Sequence, residues 1–169
     1  MAANKYIALV SGRLRETAAT ITSSGAGDDG KIVALNSSGR LDNSVMPVGI
    51  GEDTKVLPAT ENLSAGNLVN IWSNAGTFGV RKADATVAGK EAHGFVLTSV
   101  TSGQDASVYL EGTITGLTGL SSGRYYLSTT AGEATPVPPT ASGAVVQYVG
   151  SAVSATEITF EPADGVILA

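Results

Sequence analysis

Gly123-Arg-Tyr-Tyr-Leu-Ser128, Thr129-Thr-Ala-Gly-Glu-Ala-Thr-Pro-Val-Pro-Pro139 and Ala144-Val-Val-Gln-Tyr-Val-Gly150 read as strand, Pro-rich turn and strand. Aromatic and β-branched residues fill the two strand segments, as a pleated, half-buried surface demands. Along the first strand Tyr125 and Tyr126 alternate in direction, which predicts one ring packed inward and the other meeting solvent or a neighbour. No residue type suited to catalysis accompanies them. The stretch predicts a rigid β module used for binding or assembly.

The rest of the 169-residue chain agrees with that reading. Its length suits about one domain on a prior of roughly 100–200 residues each, enough to bury a core without cross-links. Cysteine is absent, which excludes disulfides, thiolate metal sites and thiol catalysis. Charged residues make up only 15% of the chain, and Val, Thr and Gly outweigh the Glu, Lys, Gln and Arg that favour helices. The predicted class is all-β: a compact β-sandwich or barrel body preceded by an extended N-terminal arm. No apolar run approaches the roughly 18 residues that a membrane span needs. Tyr6 to Val10 is too short for a secretory h-region of about 7–15 residues, and Arg13 and Arg15 follow it. Use or assembly in a cytoplasm is expected.

Charge divides the chain near residue 50. Residues 1–50 hold five basic and four acidic side chains, a net of +1, whereas residues 51–169 hold five basic and eleven acidic, a net of −6. An acidic body without Lys or Arg clusters disfavours nucleic acid. The basic start of the chain either docks on an acidic protein surface or is a solvated tail. Before the boundary, Tyr6-Ile-Ala-Leu-Val10 and Lys31-Ile-Val-Ala-Leu-Asn36 read as short strands, with residues 12–22 extended rather than helical on their Thr content. Gly, Ser and Pro separate the sparse apolar residues, so residues 1–50 cannot fill a core and either wrap the body or lie on another subunit. Residues 51–169 show many short strands at regular spacing, punctuated by turns such as Asn62-Leu-Ser-Ala-Gly66 and Ser73-Asn-Ala-Gly76. Only Ala83 to Ala92 suggests a short helix, against which Thr, Val and Gly in its middle argue.

Letter matches to catalytic motifs fail on context. Gly25-Ala-Gly-Asp-Asp-Gly30 fits a nucleotide-binding pattern, but Ile32 stands where a magnesium-ligating hydroxyl belongs and two carboxylates would repel a phosphate. Gly119-Leu-Ser-Ser-Gly123 fits a nucleophile elbow without the helix that device requires, and the single histidine, His93, lies at an expected strand start. Asp28 and Asp29 lack the alternating ligand spacing of a calcium loop, so a cation there is a minor alternative to ordinary turn chemistry. Alternation puts Glu157, Thr159 and Glu161 on an exposed strand face and Ile158 and Phe160 inward, a solvated face rather than a glycosidase pair. Trp72, Tyr109, Tyr125, Tyr126 and Tyr148 line a carbohydrate groove in one reading and pack core and rim in the other. No catalytic residue, metal ligand or cofactor is assigned, and the chain is expected not to be an enzyme.

Lys31-Ile-Val-Ala-Leu-Asn-Ser-Ser-Gly-Arg-Leu-Asp-Asn-Ser-Val-Met-Pro47 resembles a segment near the start of structural proteins of tailed bacteriophages. Leu63 to Ile71, Ala92 to Val96, Gly123 to Ser128, Val146 to Gly150 and Ile158 to Pro162 are similar to the β module of phage capsid decoration (cement) proteins and some tail-fibre proteins. The resemblance implies a structural virion component on the capsid exterior, assembled in the host cytoplasm. Its implied partners are the major capsid protein and itself, as a homotrimer, with neither nucleic acid nor membrane. Compactness favours decoration over the alternative, a tail-fibre or adhesin module binding host carbohydrate or protein. The grip on the shell is then expected from residues 1–50, with Lys5, Arg13 and Arg15 as charge contacts and Tyr6, Ile7, Leu9, Leu41, Val45, Met46 and Ile50 as apolar anchors.

Overall fold

The structure, a computed structural model, describes residues 4–46 and 53–169. The chain divides into two compact units, Met1–Gly51 and Glu52–Ala169. Ile50, expected as an apolar anchor, lies outside the described residues.

In the first unit, β1 (Lys5–Val10) and β2 (Arg13–Ala18) form an antiparallel hairpin. Its two-residue turn is Ser11-Gly12, both with positive φ, the conformation that matches strand twist in tight hairpins. Residues 12–22 are therefore extended up to Ala18, as their Thr content predicts. The expected strand over 31–36 is reduced to one parallel bridge, Thr20 to Val33. Thr20 donates its amide to Ile32 and accepts from the Ala34 amide. A single bridge suffices here because the flanking chain is spent on turns: the Asn36 side chain accepts from the Ser38 and Arg40 amides, and Asp28 closes the turn before Lys31. Short 3-10 turns occupy Ala26–Asp28 and Asn43–Val45, the second capped by Asp42, which accepts from the Ser44 amide. None of the residues 4–46 is buried, and no hydrophobic core lies among them.

The second unit contains β3 (Thr54–Pro58), β4 (Leu68–Asn74), β5 (Thr77–Lys82), β6 (Gly94–Phe95), β7 (Asp105–Tyr109), β8 (Gly112–Ile114), β9 (Gly123–Leu127), β10 (Ala134–Thr135), β11 (Val145–Val146), β12 (Tyr148–Ser154), β13 (Glu157–Phe160) and β14 (Val166–Ile167). One antiparallel sheet runs β3-β7-β6-β4-β5. Its outer strands meet where Ala59, next to the end of β3, bridges Val80 in β5, and the Thr60 amide donates to the Val80 carbonyl at 2.8 Å. The sheet thus curls into a small barrel filled by Leu57, Ala59, Leu63, Val69, Val80, Val96, Ala106 and Val108. A second antiparallel sheet runs β10-β9-β12-β13-β8, and β11 pairs with β14 in a short ribbon. Ala83 to Ala92 forms turns and no helix.

Between the barrel and the second sheet lies another core of Leu68, Phe95, Ile114, Tyr125, Leu127, Val149, Ile158 and Phe160, with Tyr109 packed against it. Phe95 anchors it by stacking on Tyr109 at 5.3 Å and meeting Phe160 edge-on at 5.4 Å. Strands β4, β6 and β7 belong to both cores. Leu68, Phe95 and Tyr109 point to one, while their neighbours Val69, Val96 and Val108 point to the other. Each such aliphatic or Phe side chain contributes about 1.5–3 kcal/mol on burial. Tyr125 is buried and Tyr126 half-exposed, the alternation expected of that strand. Ile158 and Phe160 are likewise inward.

Glycine is required at the bulge in β12, where the pairing with β9 shifts register between Tyr148 and Gly150. Gly150 has φ 150°, and a Cβ there would collide with the Thr159 carbonyl on the neighbouring strand. A side chain would therefore push β13 away.

Candidate functional site

The N-terminal hairpin holds most of the expected contact residues, and its register sorts them. Directly opposed residues share a face, so Lys5, Ile7, Leu9, Leu14, Glu16 and Ala18 lie on one side and Tyr6, Ala8, Val10, Arg13, Arg15 and Thr17 on the other. The second side is partly covered: Tyr6, Ala8 and Thr17 are half-buried, and the Tyr6 hydroxyl accepts from the Ile32 amide at 3.4 Å. The first side is bare. Ile7 is 64% exposed, Leu9 71% and Leu14 75%. Lys5 and Glu16 form an ion pair on that same side. Among the described residues no carboxylate pairs with Arg13 or Arg15, which are exposed on the opposite side.

The remaining expected anchors lie elsewhere in the unit. Leu41 is exposed, whereas Val45 and Met46 are half-buried and line a cleft of about 400 Å³ with Thr20, Asp28, Lys31 and Val33. The Asp28 carboxylate at its edge accepts from the Lys31 ammonium at 2.6 Å and from the Ser24 amide and hydroxyl. These bonds, with that from Lys31 the largest influence, lower its pKa from 3.8 to about 2. The Asp42 carboxyl is also lowered, by the hydroxyl and amide of Ser44. Leu14 was absent from the expected anchors. Its signal was the Leu9-Val-Ser-Gly-Arg-Leu14 spacing, which a two-residue turn converts into a Leu9–Leu14 cross-strand pair.

In the second unit the groups that matched catalytic patterns are engaged in structure. His93 Nδ1 accepts from the Ile71 amide, and the Ser121 amide donates to the Tyr125 hydroxyl, with strand and no helix following. The Trp72 indole donates to the Thr60 hydroxyl, and Arg81 lies over its ring at 4.5 Å. Arg81 is itself fixed by the Asn70 side chain and the Gly89 carbonyl. Tyr126 and Tyr148 meet edge-on at 6.3 Å, with Arg124 above Tyr148. The five aromatic residues thus form no common groove. A cleft of about 570 Å³ includes Leu117, Leu120 and Ile158 with Lys82 and Glu133, a mixed-sign lining. Among the described residues no cluster of three His, Asp or Glu side chains is placed to hold a metal, and no helix is long and apolar enough to cross a membrane.

Fold and site together define an all-β protein with a two-core body and an N-terminal unit whose described residues expose apolar side chains and bury none. No protein-family model and no curated protein matches the chain.

Proposed function

We propose that the chain is a non-enzymatic structural virion protein that binds the outside of a tailed-phage capsid, as a homotrimer, and stabilises the shell. The observation that carries this reading is the absence of any buried residue in 4–46, combined with nine large apolar side chains there that are open to solvent. A unit that cannot bury its own apolar surface gains stability by covering it on another protein. Repetition over a symmetric shell multiplies such contacts, so each can be small. In this reading Arg13 and Arg15, with Leu41, Val45 and Met46, meet the major capsid protein.

The tail-fibre or adhesin alternative relied on aromatic loop residues. It draws no support from Trp72, which is covered by Arg81, or from Tyr125, which is buried.

The test has two arms. Purified particles should carry many copies on the shell, and the full chain should bind chain-free expanded capsids. Replacing Arg13→Glu, Arg15→Glu and Leu41→Asp together should weaken that binding at least tenfold. A few copies confined to the tail, or undiminished binding by the triple variant, would overturn the assignment.

A further inference from the structure

The bare side of the hairpin is arranged in layers along the strand direction. Leu9 lies opposite Leu14, Ile7 opposite Glu16, and Lys5 opposite Ala18. One end is therefore all leucine, and the other carries the Lys5–Glu16 ion pair.

Three features select the occupant of this surface. Its two charges are of opposite sign, so an identical surface laid on it meets no net repulsion, whereas the unpaired Arg13 and Arg15 that would repel a copy lie on the far side. Its layers are self-matching when copies are related by an axis parallel to the strands. Leucine layers then meet leucine layers, Ile7 lies level with Ile7, and Lys5 of one copy comes within reach of Glu16 of the next. Reversed stacking would press the leucines onto the charged end and strip water from an ion pair. The third feature is exposure: none of the residues 4–46 is buried, and a copy supplies the same side chains at the same heights.

We infer that the Ile7–Leu9–Leu14 face is an interface between copies of this chain, with the hairpin faces turned toward a shared axis parallel to their strands. The inference takes only self-association from the proposed function. It locates that association in the hairpin and requires no capsid, so the two readings fail separately.

Sedimentation of the full chain measures it directly. The wild-type chain should run as an oligomer, and Leu9→Glu combined with Leu14→Glu should run at monomer mass, because the leucine layer of every copy then holds like charges. Val10→Glu, on the other side of the same hairpin, should keep the oligomer. Both leucines are exposed and outside the body cores, so an unchanged thermal transition of the body will show that the double variant is folded. The chain has no cysteine, so Leu9→Cys introduces one thiol. Mild oxidation should link its copies in pairs, and Val10→Cys should stay unlinked. A monomeric wild-type chain, a double variant of wild-type mass, or failure of Leu9→Cys to cross-link would each overturn the interface. Loss of capsid binding by the arginine variants with the oligomer intact would leave it standing.

Discussion

Gln147 grips both backbone groups of Ala92: its Oε1 accepts from the Ala92 amide at 2.7 Å and its Nε2 donates to the Ala92 carbonyl at 3.0 Å. The same Nε2 also reaches the Ala163 carbonyl at 3.1 Å. Gln147 is 3% exposed and sits between β11 and β12, so a side-chain amide here replaces a strand partner for the chain entering β6. Gln147→Leu should destabilise the body by about 3 kcal/mol, since three backbone groups lose a buried partner. Urea unfolding followed by far-ultraviolet circular dichroism checks this, and a change under 1 kcal/mol would show that water replaces the amide.

At the β12 bulge, Gly150→Ala should cost about 3 kcal/mol, through a collision with the Thr159 carbonyl added to an unfavourable φ. Gly123, which has φ 140° but open space for a Cβ, gives the reference for the φ effect alone. Comparison of the two melting temperatures separates collision from conformation.

The stack of Arg81 on Trp72 is coupled to buried Asn70, whose Oδ1 accepts from Arg81 Nε at 3.0 Å. Arg81→Met keeps the apolar stem but removes the cation and strands an acceptor, for an expected loss of about 2 kcal/mol. Trp72 fluorescence should shift as the ring is uncovered, which reports the stack independently of stability.

Leu127→Ala should lower body stability by about 2–5 kcal/mol, as for large-to-small changes in a packed core. Leu9→Ser should leave the body transition within about 0.5 kcal/mol. Calorimetry of both variants at low protein concentration distinguishes the core of the second unit from the uncovered face of the first.

Acid should loosen the turn at Ser23 to Lys31. The Asp28 carboxyl is held at about 2 in the folded turn against an ordinary value of 3.8. Its contribution is therefore complete above pH 3.8 and disappears as pH falls through about 2. The Asp28 carboxyl carbon resonance should titrate with a midpoint near 2, and Lys31→Ala should raise that midpoint by removing the main stabilising bond.

Much of the body was legible from strand periodicity. Ile158 and Phe160 are inward where alternation puts them, because a period of two leaves little choice once one face is buried. The all-β class followed from the same regularity. What alternation does not encode is which core a strand serves: Leu68 and Val69 are both buried on opposite faces, and only the curl that joins Ala59 to Val80 makes that possible. Lys31 to Asn36 failed as a strand for a different reason, since local pattern supplies propensity but not a pairing edge, and Thr20 offers just one bridge. In the candidate site, Ile7 and Leu9 were found as apolar residues in a strand. Leu14 was missed because its meaning depends on the cross-strand register that Ser11 and Gly12 set.

Strands β4, β6 and β7 serve two cores at once, so neither core can come apart while the other stays intact. Melting the barrel interior removes the floor on which Phe160, Tyr125 and Leu127 rest. The body therefore unfolds as one cooperative block, without a weak seam at which a pull on one face could peel the second sheet from the barrel.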